Sequence, residues 1–468
     1  MQSHVTKKQL TYTFQKIRAK YKKDPYPNFT QRTKLLKTLK KILIENQQIL
    51  YDALKKDYGY RSEFDSLLLD LLPTISSINY TIKQLKKWMK PSKRHAGLML
   101  FPSRVSVHYQ PLGVIGIITP WNCPIFLALG PAIQALAAGN RVLIKMSEFT
   151  PHSNQVLRRL LNDVSDHIEI IEGDATIATI FSTLPFDHLL FTGSKKIGKL
   201  VAQNAAKHLT PLTLELGGKS PAIIDQSINM KIAVDALILG KAVNAGQICV
   251  SPDYILLPKN REQAFLDLFI SRFKQYYLSD KKNNTYSHII NDKQRNRLQH
   301  YLNDAKAKGA IIHPVINNPS HQPRCLYPHI LTNVTTDMLV MNEEIFGALL
   351  CLKTYNHISE AINYINSQPR PLALYIMSKK KSLINTLIKE THSGGVCIND
   401  TLAHVAVNDA PFGGIGDSGS GHYHGYEGFL TFSKAKTVLT SSSFFPKNEL
   451  ILKNRDLIFH GLKKFFLR

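Results

Sequence analysis

From residue 112 to residue 139 the chain carries not one charged side chain. A continuous run of that kind would suit a membrane span, which takes about 20 apolar residues. Pro120, Pro124 and Pro131 break this one, together with Gly113, Gly116 and Gly130. A lipid-exposed span must satisfy its backbone internally, and such punctuation works against that. Residues 112–118 are therefore expected to form a strand buried on both faces, followed by a loop and a buried helix.

The same texture continues downstream. Short apolar runs (RVLIK, IEIIEG, DHLLFTG, LTLELGG, PAIID) alternate with helix-like segments, as a doubly wound parallel sheet requires. After Pro221 the alternation begins again with VDALILGKAV, YILLP, AFLDLFISRF, LKTY, LALYIM and GGVCIND, which reads as a second α/β domain. Upstream the chain is basic and helical. Thr30 is expected to cap a helix running through Leu35, Leu36, Leu39, Ile42, Leu43 and Leu50 until Gly59 stops it. A second helical region spans about 62–90, before Pro91. Residues 411–428 are so rich in glycine that a loop is expected. The 468 residues suffice for two or three domains at about 100–200 each. An apolar fraction of 44% and a charged fraction of 20% exclude a disordered chain.

Five scattered cysteines (Cys123, Cys249, Cys325, Cys351 and Cys397) make no disulfide framework and fit a reducing compartment with free thiols. The N-terminus MQSHVTKKQL has no apolar core, so a cytoplasmic location is expected. The net charge of +25 is spread over helices in clusters such as KLLKTLKK, read as solvated faces. No aromatic-interleaved groove accompanies it, so no nucleic-acid partner is expected. Residues 441–468 form a basic amphipathic tail, with Leu450, Ile451, Leu457, Phe459, Leu462, Phe465 and Phe466 among lysines and arginines. Peripheral contact with an anionic membrane and packing across a dimer interface are its two readings.

Two phosphate-loop patterns fail on context. Gly414, Gly416 and Gly419 spell G-x-G-x-x-G, but no strand precedes them and no helix opens there. Gly218-Lys219-Ser220 could end a phosphate loop, except that Thr213 stands where its first glycine belongs. Three other residues suit carbonyl chemistry. Cys249, in NAGQICVSPDY, follows small and polar residues suited to a turn, whose amides would stabilise a nucleophilic thiolate. Glu215 ends the apolar LTLEL run before two glycines, where burial would raise its pKa towards that of a base for water. Asn122, just after a buried strand, can donate its amide to an oxyanion. Acyl chemistry needs all three together.

At this point the chain resembles the aldehyde dehydrogenase superfamily, over about residues 30–440. The resemblance rests on PLGVIGIITPWNCP, AAGNRVLIKMSE, FTGSKKIG, LELGGKSPAIID, NAGQICVSPDY, NEEIFG, THSGGVCIND and PFGGIGDSGSGHYHGYEGFLTFS, in the family's order. Class 3, and within it the coniferyl aldehyde dehydrogenase branch, is the nearest group. The resemblance implies that Cys249 forms a thiohemiacetal and then a thioester, that Glu215 activates water to hydrolyse it, and that Asn122 and the Cys249 amide hold the oxyanion. It implies a nicotinamide dinucleotide: Gly193, Ser194 and Gly198 at the pyrophosphate, Lys145 and Glu148 at the adenosine ribose, Glu344 and Phe346 at the nicotinamide end. A carboxylate at Glu148 favours NAD over the phosphate of NADP, while Lys145 leaves NADP open. No metal is implied.

The implied architecture is a cofactor domain (residues 1–91 and 112–217), a catalytic domain (218–410), a small β bridging and oligomerisation element (92–111 and 411–440) and the tail, in a homodimer. The implied reaction oxidises aromatic, cinnamyl-type or medium-chain aliphatic aldehydes. An acylating, coenzyme A-dependent or other semialdehyde dehydrogenase of the same fold, and a non-catalytic, basic, membrane-associated protein retaining the fold, are the alternatives. Cys123 replaces the family's usual aromatic, Ala348 a usual proline, and Met146 a proline found in many relatives. Cys123 puts a second thiol next to Asn122; a plain packing substitution is its first reading, and a wider substrate entrance with that thiol near Cys249 is the alternative.

Overall fold

The structure is a computed structural model that describes residues 6–97, 100–278, 286–316 and 323–467. Its centre is a six-stranded sheet ordered Gly419–Ser420, Leu212–Leu216, His188–Gly193, Val114–Ile118, Arg141–Lys145, Ile168–Ile171. All neighbours run parallel except Gly419–Ser420. Every residue of Val114–Ile118 is buried, as is every residue of the helix Pro124–Ala137 that follows its loop. The strand starts later than the expected residue 112, because Gly113 turns the chain at φ 144 and donates its N–H to Asn140 Oδ1 (2.9 Å). Leu10, Phe14 and Ile17 of the first helix cover one face of the sheet with Val114 and Leu143. Ile115, Ile117 and Ile144 pack the other face against Ile125 and Leu129. The uncharged run is thus the middle of a three-layer core.

A seven-stranded sheet carries the second half of the chain, in the order Ile311–Pro314, His329–Thr332, Leu349–Tyr355, Tyr254–Pro258, Pro221–Ile224, Ala373–Met377, Gly395–Ile398. Only its first pair is antiparallel. Ser92–Arg94, Arg104–Pro111 and Ser433–Thr440 make a separate antiparallel sheet.

Three local expectations need correction. The helix expected from Thr30 is two helices, Phe29–Glu45 and Gln47–Tyr58, parted at Asn46, whose side chain donates to the Ile42 carbonyl (2.8 Å). Its cap is Asn28, because Asn28 and Gln31 each accept the other's backbone N–H. Residues 411–428 are not loop throughout. Gly419–Ser420 pair with Leu214–Glu215 and close the edge of the six-stranded sheet, and Gly425–Thr431 is helical. A Cβ at Gly419 would collide with the Leu214 carbonyl, so glycine there permits strand contact rather than looseness. Gly419 and Ser420, grouped above with the bridging element, belong by pairing to the six-stranded sheet. The glycines of the G-x-G-x-x-G pattern open no helix, as their context implied.

Candidate active site

In the six-stranded sheet Val114–Ile118 lies between His188–Gly193 and Arg141–Lys145, so the strand order reverses there. Ligands bind outside the carboxyl ends of strands at such a reversal. Asn122 follows the first of these strands, Gly193 and Ser194 close the second, Lys145 ends the third and Glu215 lies near the end of Leu212–Leu216. Two cavities of about 330 Å³ each meet at this end of the sheet, and both are bordered by Asn122, Leu127 and Cys249.

The first cavity is the more polar of the two. Gly193, Ser194, Glu215, Glu344 and Phe346 line it with Asn122 and Cys249. Ser194 caps the helix Lys195–Ala206 in extended conformation without a side-chain bond, leaving the first-turn N–H groups for an anion. A Cβ at Gly198 would come within 2.8 Å of Leu216, so this glycine seats the helix against its strands. Gly198 itself does not line the cavity. Neither do Lys145 and Glu148. Lys145 is buried at its strand end and donates to the Met146 carbonyl (2.6 Å); Glu148 is exposed. Burial lowers the Lys145 pKa and the charge of Glu148 opposes that shift. An ammonium and a carboxylate beside one strand end, next to a helix N-terminus, suit the hydroxyls and phosphates of a dinucleotide.

Glu344 lies over Gly217, where any Cβ would collide with its carboxylate. Burial pushes its pKa up to about 8, with Asp253 adding to the shift and the Gly218 N–H, Lys219 and Arg297 opposing it. Phe346 adopts φ 46, and its ring meets Trp121 edge-on at 5.2 Å. Lys219 donates to Asp253 Oδ2 (3.2 Å) and to the carbonyls of Val340 (2.7 Å) and Glu343 (3.0 Å), so it is a structural tie.

The nucleophile candidate sits on the expected turn, and that turn is buried. Asn244, Ala245 and Gly246 have φ of 51, 52 and 72. A Cβ at Gly246 would stand 2.5 Å from the Gly347 carbonyl oxygen. Gln247 bonds the Asn244 carbonyl (2.8 Å), the His288 carbonyl (3.0 Å) and the Ile290 N–H (3.0 Å), replacing the water that an exposed turn would have. Burial pushes the Cys249 thiol up to about 12, with Glu344 and Glu215 adding to it. The backbone N–H groups of Cys249 and Val250 pull the other way. The expected stabilisation by amides exists, therefore, but dehydration outweighs it in this state. Glu215 is buried, and neither carboxyl oxygen has a hydrogen-bond partner among the described residues. Dehydration alone raises its pKa well above the carboxylate range.

The second cavity is apolar, walled by Leu68, Leu69, Phe126, Leu127, Val405 and Phe412. Cys123 lies in this wall, so the second thiol does share a cavity with Cys249. Sequence reasoning missed Trp121, Thr192, Arg297, Leu68, Leu69, Phe412 and Tyr423 as lining residues. Trp121 sits inside TPWNCP and Tyr423 inside the glycine-rich stretch, so position in a motif was their only signal. Arg297 has none: it reaches from the helix Asp292–Ala307 to the carbonyls of Glu344 (3.4 Å) and Phe346 (3.3 Å).

Comparison with known proteins fits this geometry. A family model described as "Aldehyde dehydrogenase family" matches residues 2–438. A "Probable coniferyl aldehyde dehydrogenase" of Pseudomonas aeruginosa is 48% identical over 438 residues, 93% of this chain and 92% of that protein. The solved "Substrate bound state of Staphylococcus Aureus AldH" superposes with a TM-score of 0.89 at 34% identity, over 96% of this chain and 99% of that one. A Staphylococcus aureus betaine aldehyde dehydrogenase solved in complex with NAD+ superposes with a TM-score of 0.85 at 26% identity, over 94% and 89%.

Proposed function

The chain belongs to the aldehyde dehydrogenase family and is an aldehyde-oxidising enzyme with a nicotinamide cofactor; from that premise we propose that Cys249 is its nucleophile and Glu215 the base for hydrolysis. The observation that carries this reading is the position of Cys249, at the junction of an apolar cavity and a more polar one lined by Glu215 and Glu344. The aldehyde enters the apolar cavity; Cys249 gives its proton to solvent water, and its sulfur bonds to the carbonyl carbon. The oxygen becomes an oxyanion held by the Asn122 side chain and the Cys249 N–H. The dinucleotide, when bound, supplies the acceptor for the hydride on that carbon, leaving a thioester on Cys249. With Glu215 ionised, water adds to the thioester and gives its proton to that carboxylate; the carbon–sulfur bond breaks and the departing sulfur takes the proton back from Glu215, releasing the acid and the thiol.

Gly193 and Ser194 would hold the pyrophosphate, with Gly198 letting their helix approach; Lys145 and Glu148 would hold the adenosine ribose, Glu344 and Phe346 the nicotinamide end. A carboxylate at Glu148 accepts a bond from a ribose hydroxyl and repels a phosphate, so NAD is the preferred cofactor. The leucine and phenylalanine walls select apolar aldehydes, aromatic and cinnamyl-type or medium-chain aliphatic. An acylating enzyme must keep water from its thioester, and a carboxyl beside Cys249 argues against that alternative. Purified protein is to be assayed with benzaldehyde, cinnamaldehyde, coniferaldehyde, hexanal and acetaldehyde, each with NAD and NADP. Turnover fastest on cinnamyl-type or hexanal substrates with NAD is expected. A preference for acetaldehyde, or for NADP, contradicts the substrate or the cofactor assignment respectively.

The tail supports a reading as a peripheral membrane contact of a cytoplasmic homodimer. No helix among the described residues is long and apolar enough to cross a membrane. The helices Lys447–Lys453 and Arg455–Phe466 bury no residue, and Phe444, Leu457 and Phe465 are 96%, 76% and 75% exposed. Ile458, Leu462 and Phe466 follow helical spacing, with Lys463 and Lys464 beside them. Ser433–Thr440 and Gly395–Ile398 each present a free edge among the described strands, where a second copy could pair. Co-sedimentation with phosphatidylserine vesicles is expected for the full chain and lost on deletion of residues 444–468. Equal sedimentation of both forms contradicts the membrane role. A deletion that instead dissociates a dimer assigns the tail to the subunit interface.

A further inference from the structure

The helix Pro124–Ala137 that follows Asn122 begins at Cys123, whose side chain makes no cap bond. The three left-handed residues before Cys249 include two that carry side chains, a conformation that persists only where its surroundings hold it. One remote segment, residues 62–71, reaches both. Asp65 Oδ2 accepts the backbone N–H of Asn244 (3.0 Å), the first of the left-handed residues. The same oxygen accepts the Ser287 hydroxyl, and Ser287 Oγ accepts the Ser62 N–H (3.1 Å). The Asn244 side chain then donates to the Asn122 carbonyl (3.1 Å) and to the Gln247 carbonyl (3.2 Å). Five residues on, Asp70 Oδ1 accepts the N–H groups of Ile125 (2.9 Å) and Phe126 (3.1 Å), supplying the missing cap. Asp70 is itself paired with Arg61 at 2.8 Å, both side chains fully buried.

Asp70 lies within the π-helical turn Leu67–Leu71, whose Leu68 and Leu69 form part of the apolar cavity wall, and Asp65 lies in the helical turn Glu63–Ser66 just before it. π-turns are rare and tend to occur at functional sites. Here Asp65 bonds the turn that leads to Cys249, and Asp70 bonds the helix start that follows Asn122.

We propose that residues 62–71 are a clamp that sets the separation of Asn122 and Cys249, with Asp65 and Asp70 as its positioning residues. Neither aspartate lines either cavity at the thiol. Their role is to place the oxyanion amide and the sulfur on opposite sides of one carbonyl. The inference rests on Cys249 as nucleophile.

Asp65 is the residue to test, because replacing Asp70 would leave Arg61 buried without its counter-charge. Asp65→Ala removes the acceptor; Asp65→Asn keeps an oxygen able to accept the same two bonds but has no charge. The first readout is alkylation of Cys249 by iodoacetamide in the cofactor-free protein, with Cys249→Ala as blank. Misplacing a reacting atom by 1 Å can cost about 100-fold, so alkylation and kcat of Asp65→Ala should both fall by ~10-fold or more. KM for aldehyde and the affinity for NAD should stay near wild type, and Asp65→Asn should recover most of the rate. Wild-type alkylation in Asp65→Ala overturns the proposal. So does an Asp65→Asn as slow as Asp65→Ala, which would make charge the cause. Should Asp65→Ala fail to fold, Ser287→Ala frees the same carboxylate: slower alkylation with intact NAD affinity supports the clamp, and an unchanged rate overturns it. Turnover retained in Cys249→Ala would sink the nucleophile assignment instead, independently of any Asp65 variant.

Discussion

Cys249→Ala is expected to bind NAD with wild-type affinity and to oxidise no aldehyde. Loss of the nucleophile removes the covalent route rather than one contribution to it, so turnover should fall by at least about 10⁴-fold. Binding survives because the residues proposed to hold the dinucleotide (Gly193, Ser194, Lys145, Glu148) belong to the carboxyl edge of the six-stranded sheet, whereas Cys249 hangs from the turn after the helix Met230–Ala242. The pairing of lost turnover with retained binding separates chemistry from folding. Steady-state rates on the best aldehyde and a fluorescence titration with NAD check it. Alanine is also small enough for the buried turn, and removing a thiol that burial keeps protonated leaves no uncompensated charge.

Glu215→Gln should separate the two halves of the reaction. The amide fills the space of the carboxyl but takes no proton from water, so hydrolysis should slow by roughly 10²–10⁴-fold while acylation proceeds. A rapid burst of reduced cofactor equal to the active sites, followed by a slow steady rate, is the expected trace in stopped flow. The same substitution has a stability signature of known sign. Burial holds the folded-state pKa of Glu215 well above its ordinary 4.5, so the folded protein keeps a proton that the unfolded chain gives up. Its contribution is present in full below pH 4.5 and is lost progressively as pH rises towards the folded-state value. Glutamine cannot ionise, so thermal melts between pH 6 and 9 should show Glu215→Gln gaining on wild type as pH increases. A variant that loses ground with pH would mean that the ionised carboxylate is stabilised in the fold.

Much of this site was legible because its chemistry lies in short, contiguous motifs. Asn122, Glu215 and Cys249 each stand at the end of a buried element, where local pattern and chemistry agree. Gly193 and Ser194 were named through the family resemblance, and both line the first cavity at the start of the helix Lys195–Ala206. What stayed hidden depends on contacts distant in sequence. The Asn244–Asp65 bond spans 179 residues and the Arg297 bonds span 47 and 49, so no local pattern announces them. The glycine-rich stretch misled for a physical reason. Glycine signals both a free loop and a backbone that must be closely approached, and at Gly419 the neighbouring strand decides between them. The cap at Asn28 was missed because Thr30 is an equally good cap residue, and the reciprocal bond with Gln31 settles the choice. At Cys249 the turn's amides are legible in the sequence, whereas its burial, which outweighs them, depends on distant contacts.

The most direct test of the mechanism is mass spectrometry of Glu215→Gln, quenched in acid after the burst with cinnamaldehyde and NAD. The predicted result is one cinnamoyl group per chain, on the peptide containing Cys249 and removed by hydroxylamine. An acyl group on Cys123 instead, or no adduct despite a full burst, would contradict the assignment of nucleophile and base.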